Sequence, residues 1–238
     1  VASPVLGAIA DGSGRVLTWV WAFSVLYILG AAGLWTLTPD NPPLVQAVLL
    51  FSIGLLGMEF ATTFTNALLP GLADREQIGG ISGSGFAFGY LGGVVALFIM
   101  LLFFAENGDT GKTLIGIDPA FWLDPAAREG TRFVGPFTAI WYVIFMIPFV
   151  LWVREPVRST ARRMNINGAL SGLMASLRGL ANRKSLAAYL ASSMFYRDAL
   201  NALYGFGGVY ASGVLNWTVT QIGIFGIVGA VTAALTSW

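Results

Sequence analysis

The sequence predicts an all-α integral membrane protein, and three observations carry that prediction. The 238-residue chain is 56% hydrophobic and only 11% charged, less than half the roughly 25% charge of a soluble domain. Its apolar residues gather into long runs, and about 20 such residues are what an α-helix needs to cross a bilayer. Turn formers and short charged stretches are confined to the gaps between those runs. The 13 Lys and Arg nearly balance the 12 Asp and Glu, which gives no reason to invoke nucleic acid. With no Cys and no His, disulfides, thiol nucleophiles, His-based metal sites and a Ser-His-Asp triad are all excluded. No paired carboxylates or metal-ligand spacings are evident, so neither enzyme, cofactor nor metal is expected.

In chain order, Val1–Ala10 reads as the last turns of a helix already under way. Six spans follow, over Val16–Leu37, Leu44–Leu69, Ile81–Phe104, Phe133–Val153, Ser185–Ala211 and Thr218–Trp238. The chain opens on Val and stops within a span, the pattern expected of an internal fragment. Pro39-Asp40-Asn41-Pro42-Pro43 is a break that no helix crosses, because proline lacks the N–H and clashes with the preceding turn. Ala105–Arg132 is a long polar loop, and Arg154–Lys184 is strongly basic, with Glu155 its lone acid.

The basic connector belongs in the cytoplasm by the positive-inside rule. Alternation then places Asp11–Arg15 and Gly71–Gly80 inside, and the proline turn, the Ala105–Arg132 loop and Ser212–Trp217 outside. Trp19, Trp21, Trp35 and Trp152 sit near span ends, where aromatic belts form. Within the connector, Leu170, Leu173, Met174, Leu177 and Leu180 recur at helical spacing after a possible N-cap at Asn167, the pattern of a helix lying on the membrane surface. The expected organisation is a bundle over 1–153, a linker over 154–184 and the start of a second bundle over 185–238.

Two stretches carry candidate chemistry. Glu59 lies mid-span with Thr62, Thr63 and Asn66 at i+3, i+4 and i+7, one polar stripe on one helix face. Such a stripe faces protein or a water-filled cavity rather than lipid. Interhelical glue suits the threonines; Glu59 is a carboxylate that desolvation can protonate, hence a proton-coupling or substrate-amine candidate. The second stretch is Tyr196-Arg197-Asp198 with Asn201 and Tyr204. A charge at the centre of a spanning helix costs roughly 2.5–3.5 kcal/mol on insertion scales, so two in succession need a partner or a task. Gly83, Gly85, Gly89, Gly92 and Gly93 form a small-residue ridge expected to pack closely on a neighbouring helix. Gly108–Thr113 imitates the end of a phosphate-binding loop, but Glu106 stands where its first glycine belongs.

Gly7-Ala8-Ile9-Ala10-Asp11-Gly12-Ser13-Gly14-Arg15 resembles the cytoplasmic loop between helices two and three of major facilitator superfamily transporters. Gly7, Asp11, Gly14 and Arg15 match its pattern, while Gly12, Val16 and Leu17 stand where basic residues are usual. Within the superfamily the chain resembles the vacuole effluxer Atg22-like family, through Asn66–Pro70, Ile81–Gly93, Tyr196–Asp198 and Phe206–Ala211. The resemblance covers the whole chain and implies a truncated major facilitator fold, from the end of helix two to helix eight. It implies a secondary transporter, monomeric and lipid-embedded, whose partners are a small solute and a coupling proton. Family members that export amino acids from fungal vacuoles make amino-acid-like efflux the expectation. The membrane would be a bacterial cell (inner) membrane, or a vacuolar one in a eukaryote.

On this reading Glu59, Asn66, Arg197, Asp198, Asn201 and Tyr204 line a central site, and Gly7, Asp11, Gly14 and Arg15 form a cytoplasmic gate loop. Arg197 would clamp a carboxylate with its planar fork, Asp198 or Glu59 would hold an amine or proton, and Tyr204–Gly208 would bend to close the outer gate. The competing class is a non-transporting scaffold or sensor, in which Arg197 pairs with Asp198 or Glu59 only to hold the bundle.

Overall fold

The computed structural model describes residues 6–7, 15–39, 43–72, 74, 76–154, 171–172, 174–175, 178–180 and 182–237. Its long helices are α1 (Val16–Gly33), α2 (Leu44–Leu72), α3 (Ile78–Ile99), α4 (Val134–Trp152), α5 (Lys184–Gly213) and α6 (Val219–Ser237). A 3₁₀ turn, Leu34–Thr36, extends α1, and a π-helical turn, Met100–Phe104, extends α3. Each boundary lies close to that read from the sequence. α3 starts one turn earlier than expected, at Ile78, and α2 runs one turn further, through Pro70 to Leu72.

Among the described residues, five helical segments are long and apolar enough to span a membrane: Val16–Thr36, Leu44–Gly71, Ile78–Phe104, Glu129–Trp152 and Val219–Ser237. The sixth expected span, α5, is a continuous 30-residue helix, about 45 Å long at 1.5 Å per residue. It falls outside that set, in keeping with the adjacent Arg197 and Asp198 and the many Ser, Tyr and Gly residues along it. The stretch Tyr204–Gly208 is helical throughout.

The described chain forms two compact units, residues 1–16 with 157–217 and residues 17–156 with 218–238. The larger holds α1 to α4 and α6. Its centre is built from glycines that let helix backbones touch. A methyl on Gly30 would collide with the backbone of Gly54, and one on Gly57 with the backbone of Tyr27. Gly135 of α4 meets the Ala31 carbonyl of α1 in the same way. Small residues at such crossings allow the dense packing that holds helices together where no hydrophobic drive separates protein from lipid. Around them Phe23, Phe60, Phe64 and Trp19 stack at centroid distances of 4.8–6.2 Å. Phe64, Leu68 and Val20 are fully buried.

Helix α6 packs against α3, where the side chains of Leu97 and Leu101 lie on Gly226 and Gly223. The glycine ridge on α3 behaves differently from expectation. Of its members only Gly83 meets a neighbour, the Ser237 carbonyl; Gly85, Gly89, Gly92 and Gly93 face no described atom. Gly89, Gly92 and Gly93 instead line an apolar groove of about 750 Å³ with Phe137, Trp141 and Phe145 of α4. The close contacts fall on Gly30, Gly57 and Gly135, because what a helix presents to a neighbour is set by the crossing point and not by how many glycines it carries.

The smaller unit is described chiefly through α5, where Ala211 is the one buried residue. Of the expected surface helix, residues 171–172, 174–175 and 178–180 are described and helical, and Met174 is half exposed; Leu170, Leu173 and Leu177 lie outside the described residues.

The glycine crossings give a direct test. Gly30→Ala and Gly57→Ala are expected to lower thermal stability by the equivalent of about 1–3 kcal/mol, the usual cost of overpacking. Gly226→Ala, whose methyl would make ordinary contact with Leu97 at 3.5 Å, is expected to leave it unchanged or slightly raised. Melting of the detergent-purified full-length protein, followed by tryptophan fluorescence, distinguishes the three.

Candidate functional sites

Helix α2 separates its residues sharply. Gly54, Gly57, Ala61, Phe64 and Leu68 are buried against the bundle. Glu59, Thr62, Thr63 and Asn66 are all exposed; at 100° per residue they lie on the side opposite that packed face. Thr63 Oγ1 donates to the backbone carbonyl of Glu59 at 2.8 Å, a local bond that satisfies the threonine. The Glu59 carboxylate has no partner among the described residues. A polar stripe confined to the unpacked side of an otherwise apolar helix is what lines a solvated path or a second protein surface.

On α5, Arg197, Asn201 and Tyr204 stand at i, i+4 and i+7 and share one face, with Asp198 beside Asn201. All four are exposed. No hydrogen bond or ion pair joins Arg197 or Asp198 to a described residue, so the intrahelical pair of the scaffold reading does not form. Adjacent residues on a helix point about 100° apart, which keeps their charged ends from meeting. In the gate loop, Gly7 is helical and Arg15 precedes α1; Asp11 and Gly14 lie outside the described residues.

The loop between α3 and α4 holds a polar cluster that sequence reasoning missed. Glu106 is 1% exposed. Its Oε1 receives Arg128 Nε at 3.0 Å and Thr131 Oγ1 at 2.9 Å, and its Oε2 receives the Thr131 backbone N–H at 2.9 Å. Gly130 is buried between the Phe104 carbonyl and this carboxylate, where no side chain fits. Arg128 reaches Glu106 from a left-handed backbone, φ 54°.

Next to it, Arg132 donates through Nη2 to the Trp35 carbonyl at 2.5 Å, and its guanidinium lies 4.9 Å from the Trp35 ring centroid. The loop is thereby tied to the ends of both α1 and α3. The π turn contributes as well. It shifts the α3 ladder to Ala105 N–H on Met100 carbonyl and leaves the Leu101 carbonyl to accept from Leu114 N–H at 3.1 Å. The readable signal was a lone acid following the Met100–Ala105 apolar run, with Glu129-Gly130-Thr131-Arg132 opening the next span. In the same loop Lys112 Nζ is held by Asp118 at 2.6 Å, so the lysine of the phosphate-loop lookalike is already engaged.

A second polar contact lies inside the bundle. Ser24 of α1, 3% exposed, donates to the Val20 carbonyl at 2.7 Å and shares a 2.7 Å hydrogen bond with the Tyr142 hydroxyl of α4. Tyr27 packs edge-on to Tyr142, centroids 4.8 Å apart. The Ser24 and Tyr142 hydroxyls satisfy each other within the bundle, as interhelical glue requires.

Apolar spanning helices joined by short turns and a salt-bridged loop at the span ends define an all-helical, integral multi-pass membrane protein. The family model of the vacuole effluxer Atg22-like proteins matches residues 1–238, and the chain belongs to that family, within the major facilitator type. It is also similar to an uncharacterized MFS-type transporter, YxiO, of Bacillus subtilis (strain 168), at 21% identity over 213 residues. That alignment covers 88% of this chain and 46% of the relative, so the chain spans about half the length of the curated relative it matches. No solved structure gives a significant match.

The buried Glu106 cluster makes its own prediction. Arg128→Ala leaves a buried carboxylate without its cation, and breaking such pairs costs about 3–5 kcal/mol; with Arg128 itself 29% exposed, the low end is expected. The double variant Arg128→Ala/Glu106→Leu removes the stranded charge and should recover a large part of that loss in the same melting assay.

Proposed function

We propose that the full-length protein is a secondary transporter that moves a small polar, amino-acid-like solute by alternating access, outward across the membrane and coupled to protons. One observation carries the reading: the Glu59 stripe. A carboxylate and three polar side chains occupy the unpacked side of a helix long and apolar enough to span, and the described residues leave that carboxylate without a partner. An ionisable group within a span is maintained against its insertion cost only where solvent, a ligand or a counter-charge meets it. The family membership supports transport as the activity, and the effluxer in the family's description supports the direction.

Glu59 is the group suited to a coupling proton or a substrate amine. Arg197 suits a substrate carboxylate, because the planar guanidinium fork donates paired hydrogen bonds. Asp198, Asn201 and Tyr204 are the polar groups beside it that could orient the rest of a zwitterion. Asn66 extends the α2 stripe by two turns from Glu59. None of these roles needs a metal, a cofactor or a covalent step, and a transporter of this kind is not an enzyme.

In proteoliposomes of the full-length protein, Glu59→Gln and Arg197→Gln are each expected to reduce solute flux by at least about tenfold, the effect of 1.4 kcal/mol, with unchanged expression and melting. Arg197→Lys should also fail, because a point charge does not replace the planar fork. Normal flux in Glu59→Gln and Arg197→Gln together would contradict the proposal.

A further inference from the structure

The loop between α3 and α4 ends in an arrangement that neither packing nor transport accounts for. Phe121 and Trp122 both take left-handed backbone angles, φ 58° and φ 56°. Such angles are uncommon for bulky side chains and persist only where the surroundings impose them. Their effect is to send the two aromatic rings in different directions. Phe121 leans back on the protein by one side, its ring tilted 5.8 Å from that of Phe104 and edge-on at 6.4 Å from that of Phe133, while most of its surface stays exposed. Trp122 projects outward and is 98% exposed, and Leu114, Ile115 and Ile117 of the same loop are also exposed.

The geometry points to insertion of Trp122 into the headgroup layer of the bilayer, making this loop a membrane anchor rather than a free lid. The level is fixed by contacts within the loop. Phe104 is the last residue of one candidate span and Glu129 the first of the next, so residues 105–128 start and finish at the bilayer surface. Phe121 rests on Phe104, and the Cα of Trp122 is about 3.8 Å further along the chain. The polar layer on each side of the hydrocarbon is about 5–7 Å thick, from a core of roughly 30 Å within a bilayer of about 40–45 Å. A ring that starts from the end of a span and turns along the bilayer surface comes within reach of that layer.

The chemistry of the side chain agrees. Indole joins a large apolar body to one N–H donor, which is why Trp collects at membrane interfaces. The exposed aliphatic neighbours would gain from the same layer, whereas in water they would remain an uncovered apolar patch. The lower face of the loop is held independently by Glu106, Arg128 and Arg132, so Trp122 is presented from a rigid base.

The test uses the full-length protein with any cysteines outside this stretch changed to serine, since the stretch has none. Trp122→Cys and Asp109→Cys are each labelled with a small environment-sensitive fluorophore and reconstituted into phosphatidylcholine–phosphatidylglycerol vesicles. At position 122, nitroxide lipids with the label near the headgroup should quench several-fold more than lipids labelled deep in the acyl chain, and aqueous iodide should quench weakly. At position 109 iodide should dominate. Because a label can itself favour lipid, unlabelled protein is measured in parallel: quenching of intrinsic fluorescence by lipids brominated close to the headgroup should be smaller in Trp122→Phe than in the parent. Equal iodide quenching at both positions, or bromolipid quenching unchanged by Trp122→Phe, would overturn the proposal.

Discussion

The cost of leaving a charged or strongly polar group in hydrocarbon governs the arrangement of this chain. Most of its helical surface is apolar, and two of the solutions it finds for ionisable groups differ in kind. Glu106 is almost completely buried, yet Arg128 and two donors of Thr131 satisfy both of its carboxylate oxygens. Glu59, Arg197 and Asp198 sit on open helix faces without a described partner. The first kind is solved by the chain itself and holds a loop in place. The second is solved only by something outside the described fold, and that is the physical basis of the transport role proposed for it.

The helical framework follows from a related economy of backbone contact. In lipid, apolar side chains gain little by leaving their surroundings for one another, so helices associate through close packing and interhelical hydrogen bonds. Gly30, Gly57 and Gly135 supply the first, and the Ser24–Tyr142 bond supplies the second. Both kinds of contact involve α1, which thus touches α2 and α4. Arg132 and Trp35 close the same helix at its end. The unpacked side of α2 is left to Glu59 and its stripe because the glycine side is already committed to α1.

Much of the fold was legible from local signals. Run length and turn chemistry located every long helix, since a span must be about 20 residues and a proline cluster must interrupt it. The Glu59 stripe could likewise be read from spacing within one helix. What escaped was non-local. Glu106 and Thr131 are 25 residues apart in sequence, and nothing in either neighbourhood marks them as partners. The ridge from Gly83 to Gly93 looked like a contact surface, whereas the contacts fell on Gly30 and Gly57, because helix crossings are fixed by three-dimensional packing. The relative weakness of α5 as a span traces to Arg197 and Asp198 themselves, the residues that drew attention to it. Its amphiphilic character and its candidate function share one cause.

The central claim is that the open polar stripes await a solute rather than a structural partner. The most direct measurement is the melting temperature of the purified full-length protein, screened against amino acids, sugars and small organic cations. A transporter site should respond to a narrow class of solutes, with amino acids expected, by a concentration-dependent rise in melting temperature that follows mass action and disappears in Glu59→Gln or Arg197→Gln. A protein that responds to no solute, and whose stability falls in both variants as it does when a structural ion pair is broken, would contradict the account.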